Sequence, residues 1–467
     1  MTAAQSLFGT DGIRGRAGRP PLDPSTIRRI GLALGSVFSG RLLIGRDTRL
    51  SGVWMEEVLS SALHSAGCRP HALGVISTPA VAHFTRRDRQ AAAGIVISAS
   101  HNPYRDNGLK VFGPQGEKLS SVQQKRVEET VQALPSDEAV GEQKAARDSI
   151  EDGQSPCEEE DVETELLLAA DPEARQDYLD FLASAVAPGA LKGLKVVLDC
   201  ANGAAYRSAP MLFRRLGAEV VTLGADPDGR NINEGCGAMH PEPMARRVMS
   251  EGADLGAAFD GDADRLILSD EAGRLLDGDH ILLMLARQMM AAGKLPKRTV
   301  VATVMSNLGL EKALARDGIR LLRTAVGDRF VWEAMKDGGH PLGGEQAGHI
   351  ILGEMLPSGD GQLAAVKIAA LAAAGRETLS GLADSMVRYP QLLLNVPVAS
   401  KPDWRDIPAL ASQVDEVESE LASKGRVLVR YSGTEPKVRI MLEGEPGYDL
   451  QPSARHLAEC FRRELGE

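Results

Sequence analysis

The sequence has 467 residues, of which 43% are apolar and 25% are charged, a balance typical of a globular protein that folds in water. Its length predicts three or four domains, because a single hydrophobic core does not grow to that size. The formal net charge of -11 argues against a general surface for nucleic acids or anionic membranes. We therefore expect any phosphate site to be built locally, from arginine, lysine and backbone N–H groups.

The cysteines and the first residues of the sequence indicate the cellular compartment of the protein. Five cysteines are dispersed without the C-x-x-C spacing of a zinc or redox site: Cys68, Cys157, Cys200, Cys236 and Cys460. An odd, dispersed set favours reduced thiols over a disulfide framework. The first residues show no basic segment followed by an apolar one, and no apolar run approaches the roughly 20 residues that span a bilayer. We expect a cytoplasmic protein without a membrane partner.

Three segments share one pattern: a short apolar run, a polar turn, an amphipathic helix pattern and a second apolar run. They begin at Arg41, Leu194 and Thr299. Each is typical of a β-α-β unit, whose helix ends near a glycine before the chain returns to the sheet. The predicted fold class is therefore α/β, with three related domains that contain mixed sheets. A smaller α+β domain follows the dipeptide Tyr389-Pro390, where two strand patterns flank the turn of a hairpin after one helix pattern.

The domain boundaries follow from these segments and from one acidic stretch. Residues 136–165 are acidic and nearly free of aromatic side chains, which predicts a solvated linker or a surface insertion. We place the four domains at residues 1–168, 169–259, 260–382 and 383–467. In this division the acidic stretch belongs to the first domain.

The strongest chemical motif is "DGDADR", in which Asp260, Asp262 and Asp264 alternate along the chain. Carboxylates at this spacing converge on one hard cation when the backbone curls into a loop, and Mg²⁺ prefers such oxygen ligands. An EF-hand is one alternative, but Arg265 stands where its turn needs glycine, and the flanking segments have strand patterns. A solvated acidic turn is another alternative. We favour a magnesium loop at a sheet edge, with coordination positions left open for a substrate or phosphoryl oxygen.

A second motif, "GIVISASHNPYRDNGLKVFG" (residues 94–113), joins two apolar runs by a turn that carries Ser100 and His101. Ligands in open α/β sheets usually bind where strands end, so Ser100 stands at a favourable place for chemistry. A serine in a turn is often only a cap, and this turn lacks the G-x-S-x-G pattern of hydrolases. His101, and Lys110 on the second apolar run, can handle a proton or orient a phosphate. Taken singly, a histidine or lysine is as compatible with a structural role.

A third motif, "LGGEQAGHIIL" (residues 342–352), has glycines that allow tight backbone beside a ligand. Its Glu345, Gln346 and His349 offer the donors and acceptors that sugar hydroxyls or an amine need. Glycine-rich turns are common, so this motif alone is weak.

A fourth motif, "RYSGTEPKVRI" (residues 430–440), combines cations, hydroxyls and a flexible backbone. Five of its residues together can cradle a phosphate dianion: Arg430, Ser432, Gly433, Thr434 and Arg439. An ordinary hairpin is the alternative. The N-terminal segment "FGTDGIRG" adds Arg14, whose guanidinium can steady a second anionic group.

In this order, "GIVISASHNP", "DGDADR", "GGEQAGH" and "RYSGTEP" resemble the four active-site loops of the α-D-phosphohexomutase superfamily. The segments "FGTDGIRG", "GRDTRLSG" (45–52), "NINEGCGAMHPE" (231–242) and "TAVGDRFV" (324–331) are similar to its bacterial phosphoglucosamine mutase branch. The resemblance spans essentially the whole chain. It implies four domains around a central cleft, each of which contributes one loop.

The resemblance also implies a phosphoserine enzyme that binds Mg²⁺. In it, Ser100 corresponds to the phosphorylated serine. Asp260, Asp262 and Asp264 correspond to the metal ligands, and a phosphoryl oxygen on Ser100 completes the metal site. We also expect the fourth domain to close over the substrate.

The other site residues take their expected roles from the same resemblance. Lys110 is the preferred general base, with Arg14 or His101 lowering its pKa, and Arg265 adds positive charge beside the metal loop. The sugar would be recognised by Glu345, Gln346 and His349. The phosphate that does not react would be held by Arg430, Ser432, Gly433, Thr434 and Arg439.

The implied reaction interconverts glucosamine 6-phosphate and glucosamine 1-phosphate through glucosamine 1,6-bisphosphate, and would supply UDP-N-acetylglucosamine and cell-wall precursor synthesis. Ala347 stands where the family commonly has serine, which keeps a phosphomannomutase or phosphoglucomutase as the alternative. A catalytically silent phosphosugar-binding protein is a third hypothesis, against which Ser100 and the three aspartates argue. We expect a sugar phosphate as the small-molecule partner of a monomer or homodimer.

Overall fold

The computed structural model describes residues 6–9, 11–134, 164–375, 378–432 and 435–466. The predicted acidic stretch lies outside these residues except for its last two positions, which begin a short helix. Gly433 and Thr434 of the predicted phosphate loop also lie outside them.

The first part of the chain forms a mixed sheet with helices packed on it. Its elements are β1 (Ile13–Arg16), α1 (Pro24–Val37), β2 (Arg41–Arg46), α2 (Ser51–Ser65), β3 (Arg69–Val75), α3 (Thr78–Arg87), β4 (Ala91–Ile97), β5 (Asp106–Phe112) and α4 (Ser121–Ala133). The strand order is β1-β5-β4-β2-β3, with β2 parallel to β3 and β4 and with β5 antiparallel to β4 and β1. Local sequence explains helix α1, since Asp23 caps it by accepting the Thr26 N–H, and Ile27, Ile30 and Leu34 face the core.

The second part of the chain also forms a mixed sheet. Its elements are α5 (Thr164–Leu167), α6 (Pro172–Ala183), β6 (Lys195–Asp199), α7 (Ser208–Arg215), β7 (Glu219–Leu223), α8 (Glu242–Glu251), β8 (Leu255–Phe259), β9 (Leu266–Asp270) and β10 (Leu275–Leu276). The strand order is β10-β9-β8-β6-β7. Strands β8 and β9 are antiparallel neighbours, so residues 260–265 are the turn of a hairpin. Strands β9 and β10 lie beyond residue 260 but belong to this second sheet, so the predicted boundary at residue 260 does not coincide with the end of the sheet. The other predicted boundaries stay predictions.

The third part contains α9 (Gly278–Ala291), β11 (Thr299–Thr303), α10 (Leu308–Arg316), β12 (Arg320–Thr324), α11 (Asp328–Gly338), β13 (Leu342–Gly344), β14 (Ile350–Leu352), α12 (Gly361–Ala373) and α13 (Leu379–Asp384). Its strand order is β12-β11-β13-β14. The smaller fourth part contains β15 (Gln391–Pro397), α14 (Pro408–Leu421), β16 (Gly425–Tyr431), β17 (Lys437–Gly444) and α15 (Gln451–Leu465). Its antiparallel sheet has the order β15-β17-β16.

The predicted fold class is confirmed. The three predicted β-α-β units are β2-α2-β3, β6-α7-β7 and β11-α10-β12, and the two strands of each unit are parallel neighbours. The last part is the predicted smaller α+β unit. Among the helices of the described residues, none is both long enough and apolar enough to cross a membrane.

Each sheet also presents one of the predicted active-site loops at a turn between antiparallel neighbours. These turns join β4 to β5, β8 to β9, β13 to β14 and β16 to β17. One apolar core runs from a face of the first sheet through the second and third sheets. The fourth part has a separate core that includes Val414, Ile440 and Phe461.

Candidate active site

Ser100 lies in the turn between β4 and β5, beyond the end of a buried strand. Its backbone φ of +55° is in the left-handed region, which a serine rarely adopts. The side chain is buried, and its Oγ donates to Asp260 Oδ2 at 2.6 Å. The fold therefore brings two of the predicted site residues into direct contact although 160 positions separate them.

Asp260, Asp262 and Asp264 converge from the turn between β8 and β9. One carboxylate oxygen of each lies within 4.8 Å of the others, and all three residues are buried. Oδ1 of Asp262 and Oδ1 of Asp264 have no hydrogen-bond partner within the described parts of the chain. Buried oxygens of this kind are unfavourable unless a cation binds them, and carboxylates are preferred ligands of Mg²⁺. The three residues therefore fit a divalent metal ion.

The strands and the burial around this turn argue against both an EF-hand and a solvated acidic turn. An EF-hand needs a helix on each side of the loop, whereas β8 and β9 flank this one. A solvated acidic turn would be exposed, whereas these side chains are buried. Burial, followed by repulsion from Asp264 and Asp262, raises the pKa of Asp260 well above its ordinary value. Of the three carboxylates, Asp260 is therefore the one whose negative charge is disfavoured by its surroundings.

Gly261 permits the close contact between the metal turn and the serine turn. A Cβ at this position would lie 2.6 Å from the Ser100 carbonyl oxygen and 2.8 Å from Ile232 Cδ1. Such distances are shorter than any van der Waals contact, so a side chain here would push the two turns apart. The glycine of "DGDADR" is therefore explained by packing.

Lys110 lies on β5 with its ammonium group buried against the aspartates. Its Nζ donates to Asp262 Oδ2 at 2.7 Å and to Asp264 Oδ2 at 3.0 Å. Burial opposes the charged form, but the two carboxylates outweigh it and raise the pKa of Lys110 well above its ordinary value. The charge of Arg14 does act to lower this pKa, as expected, but the expected net lowering is wrong for this arrangement because the nearer carboxylates outweigh it.

His101 and Arg265 lie on either side of Ser100 and Asp260 in the hydrogen-bond network. His101 Nδ1 is 3.2 Å from Ser100 Oγ. Burial, and then the charges of Arg265 and Arg14, lower the pKa of His101 from 6.5 to about 4. The Arg265 backbone N–H donates to Asp260 Oδ1 at 3.1 Å. A neutral imidazole thus lies beside the serine, and the Arg265 backbone N–H holds the aspartate that accepts its hydroxyl.

The turn between β13 and β14 brings His349 to the same cluster. His349 Nδ1 lies 3.8 Å from Asp264 Oδ2, and His349 is buried. Burial opposes its charged form, but Asp264 and Asp328 raise the pKa of His349 above its ordinary value. Glu345 Oε1 accepts the Gly327 N–H at 3.2 Å, and burial raises the pKa of Glu345. The predicted sugar loop therefore adjoins the metal turn.

The hairpin between β16 and β17 carries the described residues of the predicted phosphate loop. Arg430 and Arg439 are directly paired across the two strands, and burial and then the charge of Arg439 lower the pKa of Arg430. Arg439 Nε is buried without a hydrogen-bond partner in the described residues. Lys401 Nζ donates to the Ser432 carbonyl oxygen at 2.7 Å. Adjacent cations with an unused donor suit an anionic group.

The fourth part of the chain contacts the third at the base of these loops. Gln346 Nε2 donates to Gln391 Oε1 at 3.4 Å, which links the sugar loop to β15. Arg426 on β16 donates to the carbonyl oxygens of Val304 at 3.0 Å and Ser306 at 2.7 Å. The sugar loop and the phosphate hairpin are thus joined through neighbouring elements.

An ion cluster that the sequence analysis did not identify connects the first and third parts. Lys118 Nζ lies 2.5 Å from Asp11 Oδ1 and 2.7 Å from Asp328 Oδ2. Asp11 also pairs with Arg14, and Asp328 Oδ2 lies 3.5 Å from His349 Nε2. A cavity of about 120 Å³ is lined by Lys118, Asp328 and His349 among others. The only signal was that Asp11 and Asp328 fall within "FGTDGIRG" and "TAVGDRFV", whose spacing does not reveal their partner.

Known protein families match each of the four parts of the chain. Models of the phosphoglucomutase/phosphomannomutase family match as alpha/beta/alpha domain I at residues 5–138, domain II at 176–273, domain III at 277–389 and the C-terminal domain at 393–459. A phosphoglucosamine mutase from Solibacter usitatus is 44% identical over 469 residues, 99% of this chain and 100% of that protein. The chain belongs to the phosphoglucomutase/phosphomannomutase family. The predicted resemblance is thereby confirmed, and the protein is a mutase of the isomerase class.

Other similar proteins agree with this family. A phosphoglucosamine mutase from Symbiobacterium thermophilum is 45% identical over 465 residues, covering 98% of this chain and 99% of that protein. The crystal structure of a phosphoglucomutase/phosphomannomutase family protein from Burkholderia thailandensis has a TM-score of 0.77 at 22% identity and covers 98% of both chains. An N-acetylphosphoglucosamine mutase from Aspergillus fumigatus, solved with GlcNAc-6P and magnesium, has a TM-score of 0.65 at 19% identity, covering 98% of this chain and 95% of that one. These structures share the family's fold.

Proposed function

We propose that this protein interconverts glucosamine 6-phosphate and glucosamine 1-phosphate by passing a phosphoryl group through Ser100. The contact that carries the proposal is Ser100 Oγ to Asp260 Oδ2 at 2.6 Å, within a cluster that fits a divalent cation. Relatives named phosphoglucosamine mutase at 44% and 45% identity over nearly the whole chain support the choice of sugar.

The reaction balances without any external reagent. A free hydroxyl of the sugar phosphate attacks the phosphorus carried by Ser100, so that a bond to the sugar oxygen forms while the bond to Ser100 Oγ breaks. The hydroxyl proton leaves to a base, and Ser100 Oγ takes up a proton. The resulting glucosamine 1,6-bisphosphate turns end for end, and its other phosphoryl group returns to Ser100 by the same steps. The product differs from the substrate only in the position of its phosphate.

Residues of the metal turn and its neighbours would prepare this transfer. Asp260, Asp262 and Asp264 would hold Mg²⁺, which when bound neutralises charge on phosphoryl oxygens. Lys110 is the general base predicted from the sequence, but its raised pKa keeps its ammonium group protonated in this arrangement, so we propose that it acts as a cation beside the transferred phosphoryl group. We propose that the neutral imidazole of His101 accepts the proton of the sugar hydroxyl and passes a proton to Ser100 Oγ, because its Nδ1 lies 3.2 Å from that oxygen.

The remaining residues would hold the two ends of the sugar phosphate. Arg14 and Arg265 would add positive charge near the reacting group. Glu345, Gln346 and His349 would bind hydroxyl or amine groups of the sugar. The other phosphate would be gripped by Arg430, Ser432, Gly433, Thr434 and Arg439.

A phosphomannomutase or phosphoglucomutase is the second candidate. Two observations favour it: the matching family models carry those names, and Ala347 lacks the hydroxyl that the family commonly offers to the sugar. The two candidates differ only in the hexose, so they share the serine chemistry. They are distinguished by substrate preference.

The test compares kcat/KM for glucosamine 6-phosphate, mannose 6-phosphate and glucose 6-phosphate, with Ser100→Ala as the control. We expect the highest value for the amino sugar and a loss of at least about a thousandfold in Ser100→Ala with its thermal melting unchanged. A higher value for mannose or glucose would select the second candidate. Full activity in Ser100→Ala would reject the phosphoserine route for every sugar.

We also propose that the protein works in the cytoplasm. Cys68, Cys200, Cys236 and Cys460 are free thiols, as reducing conditions favour. Fractionation of cells that produce the protein, followed by detection with an antibody, tests this location. Whether it acts as the expected monomer or homodimer is answered by light scattering of the purified protein.

A further inference from the structure

The backbone of Ser100 is held by groups that the proposed reaction does not use. At φ +55° the residue has a conformation that persists only where its surroundings enforce it. The Ser100 N–H donates to Ser98 Oγ at 2.9 Å, and Ser98 Oγ donates to Asp47 Oδ2 at 2.6 Å. The carbonyl side of Ser100 is held by two further residues, from different parts of the chain.

Arg49 is the first of these and comes from the segment "GRDTRLSG". Its side chain is fully buried, and its Nε donates to Asp47 Oδ2 at 2.9 Å. Nη2 donates to the carbonyl oxygens of Ser100 at 2.9 Å and Asn102 at 2.8 Å, and Nη1 donates to that of Pro103 at 2.7 Å. A planar guanidinium with fixed donors is suited to hold three carbonyl groups of one turn.

Asn233 is the second and comes from the segment "NINEGCGAMHPE", in the second part of the chain. Its Nδ2 donates to the Ser100 carbonyl oxygen at 2.9 Å and to that of Asn102 at 3.2 Å. Asn233 is buried and is itself in the left-handed region at φ +59°, with its N–H donating to the Ala201 carbonyl oxygen at 2.9 Å. The amide therefore reaches the serine turn from the side that also carries the metal turn.

We infer that Arg49 and Asn233 are positioning residues that hold Ser100 in its left-handed conformation and so aim its Oγ at Asp260. This inference rests on the proposed function, because the aim of Oγ matters only if Ser100 carries the phosphoryl group. Phosphoryl transfer depends on in-line placement of the reacting atoms, so a small rotation of the turn lowers the rate of the chemical step. Binding of the sugar phosphate, which uses other loops, is left unchanged.

The test removes the hydrogen bonds that Asn233 donates and leaves the buried guanidinium of Arg49 in place. Asn233→Ala deletes both donors, and Asn233→Asp keeps the shape of the side chain but replaces its NH₂ donor by an oxygen. Thr48→Val is the matched control, because Thr48 Oγ1 donates across the same boundary to the Asn202 carbonyl oxygen at 2.5 Å and, among the described residues, has no side-chain hydrogen bond to the Ser100 turn. Each variant is compared with the wild type on glucosamine 6-phosphate.

We expect kcat to fall by about 10- to 100-fold in both Asn233 variants with KM changed less than about twofold, and both constants to stay near the wild type in Thr48→Val. Amide hydrogen exchange of the peptide spanning residues 98–106 should speed up in the Asn233 variants only. If Asn233→Ala fails to fold, the kinetics of Asn233→Asp test the positioning role, because aspartate keeps the size and shape of the buried side chain.

Two results overturn the inference, and they can be told apart from failure of the proposed function. If the wild type turns over glucosamine 6-phosphate but both Asn233 variants match Thr48→Val, the positioning role is wrong and the proposed function stands. If KM rises while kcat is unchanged, Asn233 acts in binding and the inference is also wrong. A wild type that is inactive on all three sugar phosphates removes the proposed function and, with it, this inference.

Discussion

The turn around Ser100 and the hairpin that carries Arg430 and Arg439 are surrounded very differently. Ser100, Asp260 and Lys110 are buried, and their contacts join the first and second sheets. Arg430 and Arg439 are partly exposed, on a sheet with its own separate core. Rigid surroundings suit the place where bonds form and break, whereas an independent unit suits a group that must grip a phosphate presented in two orientations. Perturbing the first region should therefore lower kcat, and perturbing the second should mainly raise KM.

Among the changes that leave Ser100 itself intact, the largest effect is expected on removing the metal ion from the first region. Chelation should lower kcat by at least about a hundredfold, because the charge on the phosphoryl oxygens would no longer be neutralised by the metal ion beside the carboxylates. Steady-state assays after dialysis against a chelator, with and without added Mg²⁺, measure this. Recovery with Mg²⁺ is expected, and full activity of the metal-free protein would contradict the role given to Asp260, Asp262 and Asp264.

Gly261→Ala should have the next largest effect. The added Cβ would lie 2.6 Å from the Ser100 carbonyl oxygen, so the serine and metal turns must separate. We expect kcat to fall by roughly 100-fold. Gly113→Ala is the matched control, because a Cβ there meets nothing closer than 3.9 Å. Equal kcat values for the two variants would show that the contact between the turns is unimportant.

Lys118→Met tests the ion cluster between the first and third parts. Removal of the cation leaves Asp11 and Asp328 facing one another, which should destabilise the fold by about 3 kcal/mol. We also expect kcat/KM to fall about tenfold, since Asp11 pairs with Arg14 and Asp328 lies beside His349. Urea denaturation and steady-state kinetics measure the two effects.

The control for that variant is Lys336→Met. Lys336 pairs with Glu117, so it joins the same two parts of the chain, but its side chain is 57% exposed. An exposed pair contributes at most about 1 kcal/mol, so this variant should remain close to the wild type. If Lys118→Met were no more harmful than Lys336→Met, the buried cluster would have no special role.

The smallest effect is expected in the second region. Arg439→Ala should raise KM for glucosamine 6-phosphate roughly tenfold, the loss expected for one charge-assisted hydrogen bond, with little change in kcat. Arg463→Ala, an exposed arginine that pairs with Glu464 on α15, is the control and should leave both constants unchanged. A fall in kcat without a change in KM would place Arg439 with the reacting groups and contradict the expected difference between the two regions.

The sequence predicted the elements well and the contacts between them less well. The β-α-β units at Arg41, Leu194 and Thr299 were recognisable because apolar periodicity is a local signal. The contact of Ser100 with Asp260 joins residues 160 positions apart, so no local pattern carries it, and the order of the motifs was needed to expect it. The predicted boundary at residue 260 falls within the second sheet, because strand patterns do not reveal which sheet a strand joins.

The charged residues that the sequence analysis passed over share one property. Lys118 and Arg49 are buried by partners from distant segments, whereas most lysines and arginines are exposed. Nothing in the spacing of residues 45–52 or 113–120 distinguishes a buried cation from a solvated one. Their roles depend on the assembled fold, which local patterns do not describe.

The most direct test of the central claim is to follow the phosphate on Ser100 itself. The purified protein is analysed by intact mass and peptide mapping before and after mixing with one equivalent of glucosamine 6-phosphate. The account predicts one phosphate on the Ser100 peptide that leaves the protein as glucosamine 1,6-bisphosphate is released. Active protein with no phosphate on Ser100, or with the transferable phosphate on another residue, would contradict it.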